Sequence, residues 1–115
     1  MAEQQEPPRA PRGLGEKSRE LWRRTVREYE LTDAELVVLG EACRVLHIVE
    51  QLEEIVEAKG FMASSSQGLR THPAVVEQRQ QRLLLSRLLR ELRLPADEGH
   101  SAAGEGARLR EVSNG

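Results

Sequence analysis

The sequence predicts an all-α protein: a short N-terminal helix followed by a long antiparallel helical hairpin. Three observations carry that reading. Apolar residues recur at three- and four-residue spacing over three separate stretches. No window alternates long enough to demand a strand. Capping residues, glycines and prolines stand where those stretches begin and end.

The first helix is expected from about Gly15 or Glu16 to Tyr29, with Leu21, Trp22, Val26 and Tyr29 forming one apolar stripe. The second opens on the clearest local signal in the chain, LTDAEL (31–36). Thr32 and Glu35 are spaced as a capping box, and Leu31 and Leu36 flank them as a hydrophobic staple. This helix is expected to reach Lys59. Val38, Ala42, Val45, Val49, Leu52 and Val56 step 4-3-4-3-4 along it as a heptad-like packing seam. Leu39, Leu46, Ile48 and Ile55 widen its apolar face, so it expects more than one neighbour. Gly60 is suited to end it.

The segment GFMASSSQGLRTHPAV (60–75) then reads as the turn of the hairpin, in which 61–63 and 69–71 can pair briefly. Pro73 fits the first position of the third helix. That helix runs to about Leu92, with Val76, Leu84, Leu85, Leu88, Leu89 and Leu92 expected inward.

The folded domain is therefore expected over residues 14–95. Residues 1–13 are polar and Pro-rich, and 96–115 are rich in Gly, Ala and Glu. Both ends are expected to be disordered, since they offer little apolar surface against a chain entropy of roughly 1–2 kcal/mol per residue. A lone domain of that size has a marginal core. Hydrophobic residues make up 38% of the chain and aromatics 3%, so the core is aliphatic and self-association is the expected supplement. No stretch approaches the roughly 20 apolar residues of a membrane span, and no signal segment is visible. A single cysteine, Cys43, excludes an intrachain disulfide framework and fits a reducing cytosol.

The net charge of −2 conceals a partition. Residues 9–27 carry seven basic and two acidic side chains, 28–57 one basic and nine acidic, and 59–94 seven basic and two acidic. Arg79, Arg82, Arg90 and Arg93 share a face of the third helix, where pairing with the acids of the second is expected. Arg19, Arg23 and Arg27 line one face of the first helix with Arg24 beside them. Together with Arg12 and Arg9 they are the candidates for tracking a nucleic-acid backbone.

Enzymatic signals are weak by comparison. Gly60 and Gly68 do not have phosphate-loop spacing, and no Lys-Ser or Lys-Thr follows. Cys43 and His47 are four apart but lack the further ligands that zinc requires. Nothing orients the imidazole or supplies an oxyanion hole for a nucleophilic pair. No metal, no cofactor and no catalytic residue is therefore assigned.

Residues 14–96 resemble the small subunits of phage terminases, in particular the short type of actinobacterial phages and prophages. The likeness rests on LGEKSRELWRRTVREYELTDAELVVLGEAC (14–43), the glycine-flanked serine turn GFMASSSQG (60–68) and HPAVVEQRQQRLLLSRLLRELRLP (72–95). The resemblance implies a ring-forming homo-oligomer in the host cytoplasm. It would recognise the packaging start on double-stranded viral DNA and recruit the terminase large subunit, which carries the ATPase and nuclease. It implies no catalytic residue in this chain. Relatives often have Asn-Pro where this chain has His72-Pro73, and no full helix-turn-helix precedes the first helix. The alternative reading is a helical protein-interaction adaptor, or an inactive prophage remnant, without DNA affinity.

Overall fold

The computed structural model describes residues 6–65, 67–94 and 108–109. Three helices dominate: α1 (Glu16–Glu28), α2 (Asp33–Lys59) and α3 (Pro73–Leu92). Four short strands accompany them: β1 (Tyr29–Glu30), β2 (Met62–Ser65), β3 (Gly68–Thr71) and β4 (Arg108–Leu109). They pair antiparallel, β1 with β4 and β2 with β3.

Local chemistry accounts for the helix ends. At the start of α2 both halves of the capping box form. The Glu35 amide donates to Thr32 Oγ1 at 3.1 Å, and the Thr32 amide donates to Glu35 Oε1 at 2.8 Å. At its end Gly60 takes φ +85° and returns its amide to the Val56 carbonyl at 2.7 Å. The β2–β3 hairpin then reverses the chain, with Met62 opposite Thr71 and Ser65 opposite Gly68. Helix α3 starts at Pro73 as expected, and His72 proves a serviceable cap: its Nδ1 accepts from the Ala74 amide at 3.0 Å. The same helix stops with Arg93 in the left-handed region.

The core gathers at one end, where α1 and the first half of α2 meet the end of α3. Leu14, Trp22, Val26, Leu39, Cys43 and Leu92 form its buried cluster. Of the seam, Ala42, Val45 and Val49 are buried, while Val38, Leu52 and Val56 are half-buried. From mid-hairpin to the β2–β3 turn, apolar side chains of α2 and α3 surface. Ile48, Ile55, Val76 and Leu84 are each about 40% exposed, and Leu83 is 66% exposed. The inward assignment of Val76 and Leu84 is thus corrected. The buried side chains of α3 are Ala74 and Leu92, with Leu85, Leu88 and Leu89 half-buried.

Two stretches of the chain ends expected to be free are placed against the body. Residues 6–13 run over the α1–α2 junction. The Trp22 indole N–H donates to the Pro8 carbonyl at 2.9 Å, Ala10 packs on the core cluster, and Pro11 lies against Gly40. A buried indole needs an acceptor, and the arm supplies it. In the tail, Arg108–Leu109 pairs with Tyr29–Glu30. Residues 1–5, 95–107 and 110–115 lie outside the described residues.

Candidate nucleic-acid interface

Helix α1 is built by burial on one side and charge on the other. Trp22 and Val26 are 5% exposed, and Ser18 and Thr25 are also buried. The two hydroxyls satisfy themselves on the helix's own carbonyls: Thr25 Oγ1 donates to Leu21 at 2.7 Å, and Ser18 Oγ reaches Gly15 at 3.5 Å. The sequence pattern did not mark these two polar residues as core.

With that side fixed, Arg19, Arg23 and Arg27 emerge exposed at successive turns, roughly 6 Å apart along the axis. They edge a cleft of about 900 Å³. Its apolar surface comes from Trp22, Val26, Leu31 and Leu36, and its remaining wall from Glu6, Pro7, Pro8 and Ala10 of the arm. Asp33 lies on its border. Arg24 is exposed but does not line the cleft. It follows Arg23 by one residue, about 100° around the helix, and so points elsewhere. Three of the four arginine candidates therefore share one site and the fourth stands apart.

Only Arg23 of the three has an ion pair among the described residues, with Glu20 at 2.8 Å. Both partners are about half exposed, and such a pair contributes between about 0 and 1 kcal/mol. It yields readily to a better ligand. The arm wall was not legible as a site, because a Pro-rich polar stretch looks like a linker. Its prolines, which lack amide donors to satisfy, can nevertheless lie along apolar surface at little cost.

A second groove of about 430 Å³ runs between α2 and α3 with Lys17 of α1 at its edge. Here Arg82 meets Glu53 at 3.7 Å, the one ion pair between helices among the described residues. The expected pairing of the α3 arginines with α2 is limited to this contact. Arg79, Arg90 and Arg93 make no ion pair with a described residue. Glu50 Oε2 is buried in the same region without a hydrogen-bond partner. Its carboxylate lies beside Gly15, at the positive end of the α1 dipole.

The residues weighed for nucleophilic or metal chemistry have structural positions. Cys43 is fully buried, and burial pushes its thiol up to about 11, only partly offset by neighbouring Arg44. A thiol held protonated in this way is a poor nucleophile at neutral pH. His47 uses Nδ1 to accept the Gly15 amide at 3.2 Å, which supplies the missing cap of α1. Among the described residues no group of three or more His, Cys, Asp or Glu is placed to hold a metal ion, and no helix is long and apolar enough to cross a membrane.

No protein-family model matches this chain, and neither a curated protein nor a solved structure gives a match.

Proposed function

We propose that this chain is the DNA-recognition and regulatory subunit of a viral DNA-packaging terminase, acting in the host cytoplasm without catalysis of its own. The observation that carries the reading is the row of exposed guanidiniums at Arg19, Arg23 and Arg27 on the outer side of α1. Guanidinium groups match phosphate oxygens in geometry and charge. The one-turn spacing lets several engage one backbone, and Arg24, Arg12 and Arg9 extend the positive surface nearby. A single copy has few contacts and binds weakly. The uncovered apolar side chains of the hairpin, Ile48, Ile55, Leu83 and Leu84 among them, give copies a reason to assemble. In a ring, each copy raises the effective concentration of the next. The resemblance of residues 14–96 to terminase small subunits supplies the packaging role and the large-subunit partner.

The test is a salt titration of binding to duplex DNA, joined to native mass spectrometry with and without the duplex. Binding should fall with a log–log slope of about −0.9 per contacted phosphate, and the free protein should be multimeric. Arg23→Glu with Arg27→Glu should weaken binding at every sequence tried. Binding that is absent, or indifferent to salt, would refute the reading. It would instead favour an adaptor that docks proteins on the acidic face of α2, where Glu54 and Glu57 are exposed and unpaired among the described residues.

A further inference from the structure

The arm beside the cleft reads Glu6-Pro7-Pro8-Arg9-Ala10-Pro11-Arg12-Gly13, and its prolines restrict its shape. Each ring fixes φ at about −65°, and each residue before a proline is kept out of the helical region. Residues 6–11 are thereby biased to polyproline II, which completes a turn in about three residues. Pro8 and Pro11, spaced as Pro-x-x-Pro, share one edge of such a segment.

That edge follows the Trp22 indole. The indole N–H donates to the Pro8 carbonyl at 2.9 Å. At the other end of the ring system, Trp22 Cζ3 and Pro11 Cγ both close on Gly40, at 3.8 and 3.5 Å from where a β-carbon would stand. Gly40 is buried in α2, and a side chain longer than alanine's would take the space of the proline ring. Ala10, next to Pro11, packs on the core cluster. Aromatic-lined grooves are the receptors of Pro-x-x-Pro segments, which arrive already ordered.

The arm is also hung so that it can leave. It joins the body through exposed Arg12 and through Gly13, which has φ +80° and open space around it, whereas Leu14 is buried in the core. Glycine accepts either sign of φ, so rotation at Gly13 swings the arm away while Leu14 stays. A vacated groove bares the indole and removes its acceptor. It therefore favours any segment that restores both.

We propose that Trp22 and Gly40 form a recognition site for Pro-x-x-Pro segments in the polyproline II form. Its resident ligand is the chain's own arm, and it accepts such a segment from another chain in the arm's place. The arginines take no part in this site, so it stands apart from the DNA reading.

The test uses the full-length, isotope-labelled chain. Trp22 is the single tryptophan, so its indole N–H gives one NMR signal, and the Ala10 amide reports on the arm. The probe is an unlabelled synthetic peptide of residues 6–13. The control peptide has the same composition with no two prolines three apart. Pro8→Ala with Pro11→Ala keeps both carbonyls but frees the backbone. It should speed indole hydrogen exchange about four- to thirtyfold, the effect of two proline constraints, and the probe should restore protection saturably. In the wild-type chain the probe, at the roughly millimolar level needed against a tethered arm, should speed exchange at Ala10 while the indole stays protected. The control should do neither. Unchanged indole exchange in a folded double variant, a probe without effect on the wild-type chain, or a control that acts as well as the probe would each overturn the proposal. If the double variant fails to fold, the wild-type titration decides alone.

Discussion

Truncating Leu92 offers the sharpest check on where this fold holds itself together. Leu92 is 1% exposed in the last turn of α3 and belongs to the cluster with Leu14, Trp22, Val26, Leu39 and Cys43. Leu92→Ala removes three carbons, worth about 2.4 kcal/mol at about 0.8 kcal/mol per buried CH₂. Any cavity that the neighbours fail to close adds to that, and measured losses for such sites run from about 2 to 5 kcal/mol. A domain of this size has a total stability of roughly 4–12 kcal/mol, so the loss is a large share. Leu83, nine residues earlier on the same helix, is 66% exposed. Leu83→Ala removes the same atoms from mostly solvated surface and should cost less than about 1 kcal/mol. Urea unfolding followed by helical circular dichroism measures both, at low protein concentration so that association does not contribute. With a slope of about 1–3 kcal/mol/M, Leu92→Ala should lower the midpoint by roughly 1–3 M at constant slope. A loss below about 1 kcal/mol for Leu92→Ala, or equal losses for the two variants, would show that the three-helix end is not the core described here.

Two further outcomes follow from local chemistry. Thr32→Ala and Glu35→Ala each break one half of the capping box, so each should lower stability by about 1 kcal/mol in the same urea assay. Their combined effect should be less than the sum, because the two bonds belong to one motif. For Cys43, whose pKa rises from 9.0 to about 11 on folding, the unfolded chain releases its proton first as pH increases. The thiol's contribution is therefore intact below pH 9 and is lost between pH 9 and about 11. The loss is at most about 3 kcal/mol and should be absent in Cys43→Ala. Iodoacetamide should label the native thiol slowly at pH 8 and the urea-unfolded one quickly.

Much of the fold was legible because the helices declare their own ends. The Thr32–Glu35 box, Gly60 and Pro73 are local signals, readable without knowing what packs against them, and each marks an observed boundary. The brief pairing across the serine turn was legible for the same reason. The inner face of α3 was harder. Its leucines are so many that periodicity alone admits several faces, and only the positions of α1 and α2 select Leu92 over Leu84. The roles of buried Ser18 and Thr25 and of half-buried His47 depend on partners, two of them one turn away and one 32 residues distant. No spacing rule flags the last. Likewise, the arginine spacing placed Arg19, Arg23 and Arg27 together, but the cleft they edge is made by an arm whose composition argues for a free chain.

The distribution of charge links the arginine wall to assembly. Within the cleft the three arginines face Glu6 and Asp33, and Glu20 competes for Arg23. The local excess of positive charge is therefore small. The acidic excess of α2 reaches back to α1: the Glu50 carboxylate lies beside Gly15, four residues before Arg19, about 6 Å along the axis at about 1.5 Å per residue. That distance is within one Debye length at physiological salt, about 8 Å, so Glu50 weakens the positive field at the start of the arginine row. One copy then has about three phosphate contacts available, a salt slope near −2.7, and weak binding. On the proposed reading, useful affinity requires several copies held together. The surface able to hold them is the open side of the hairpin, where Ile48, Ile55, Leu83 and Leu84 are left uncovered. Leu83→Glu should therefore lower oligomer mass and duplex affinity together while leaving low-concentration stability nearly unchanged. A variant that lost DNA binding yet kept its full assembly would break that link.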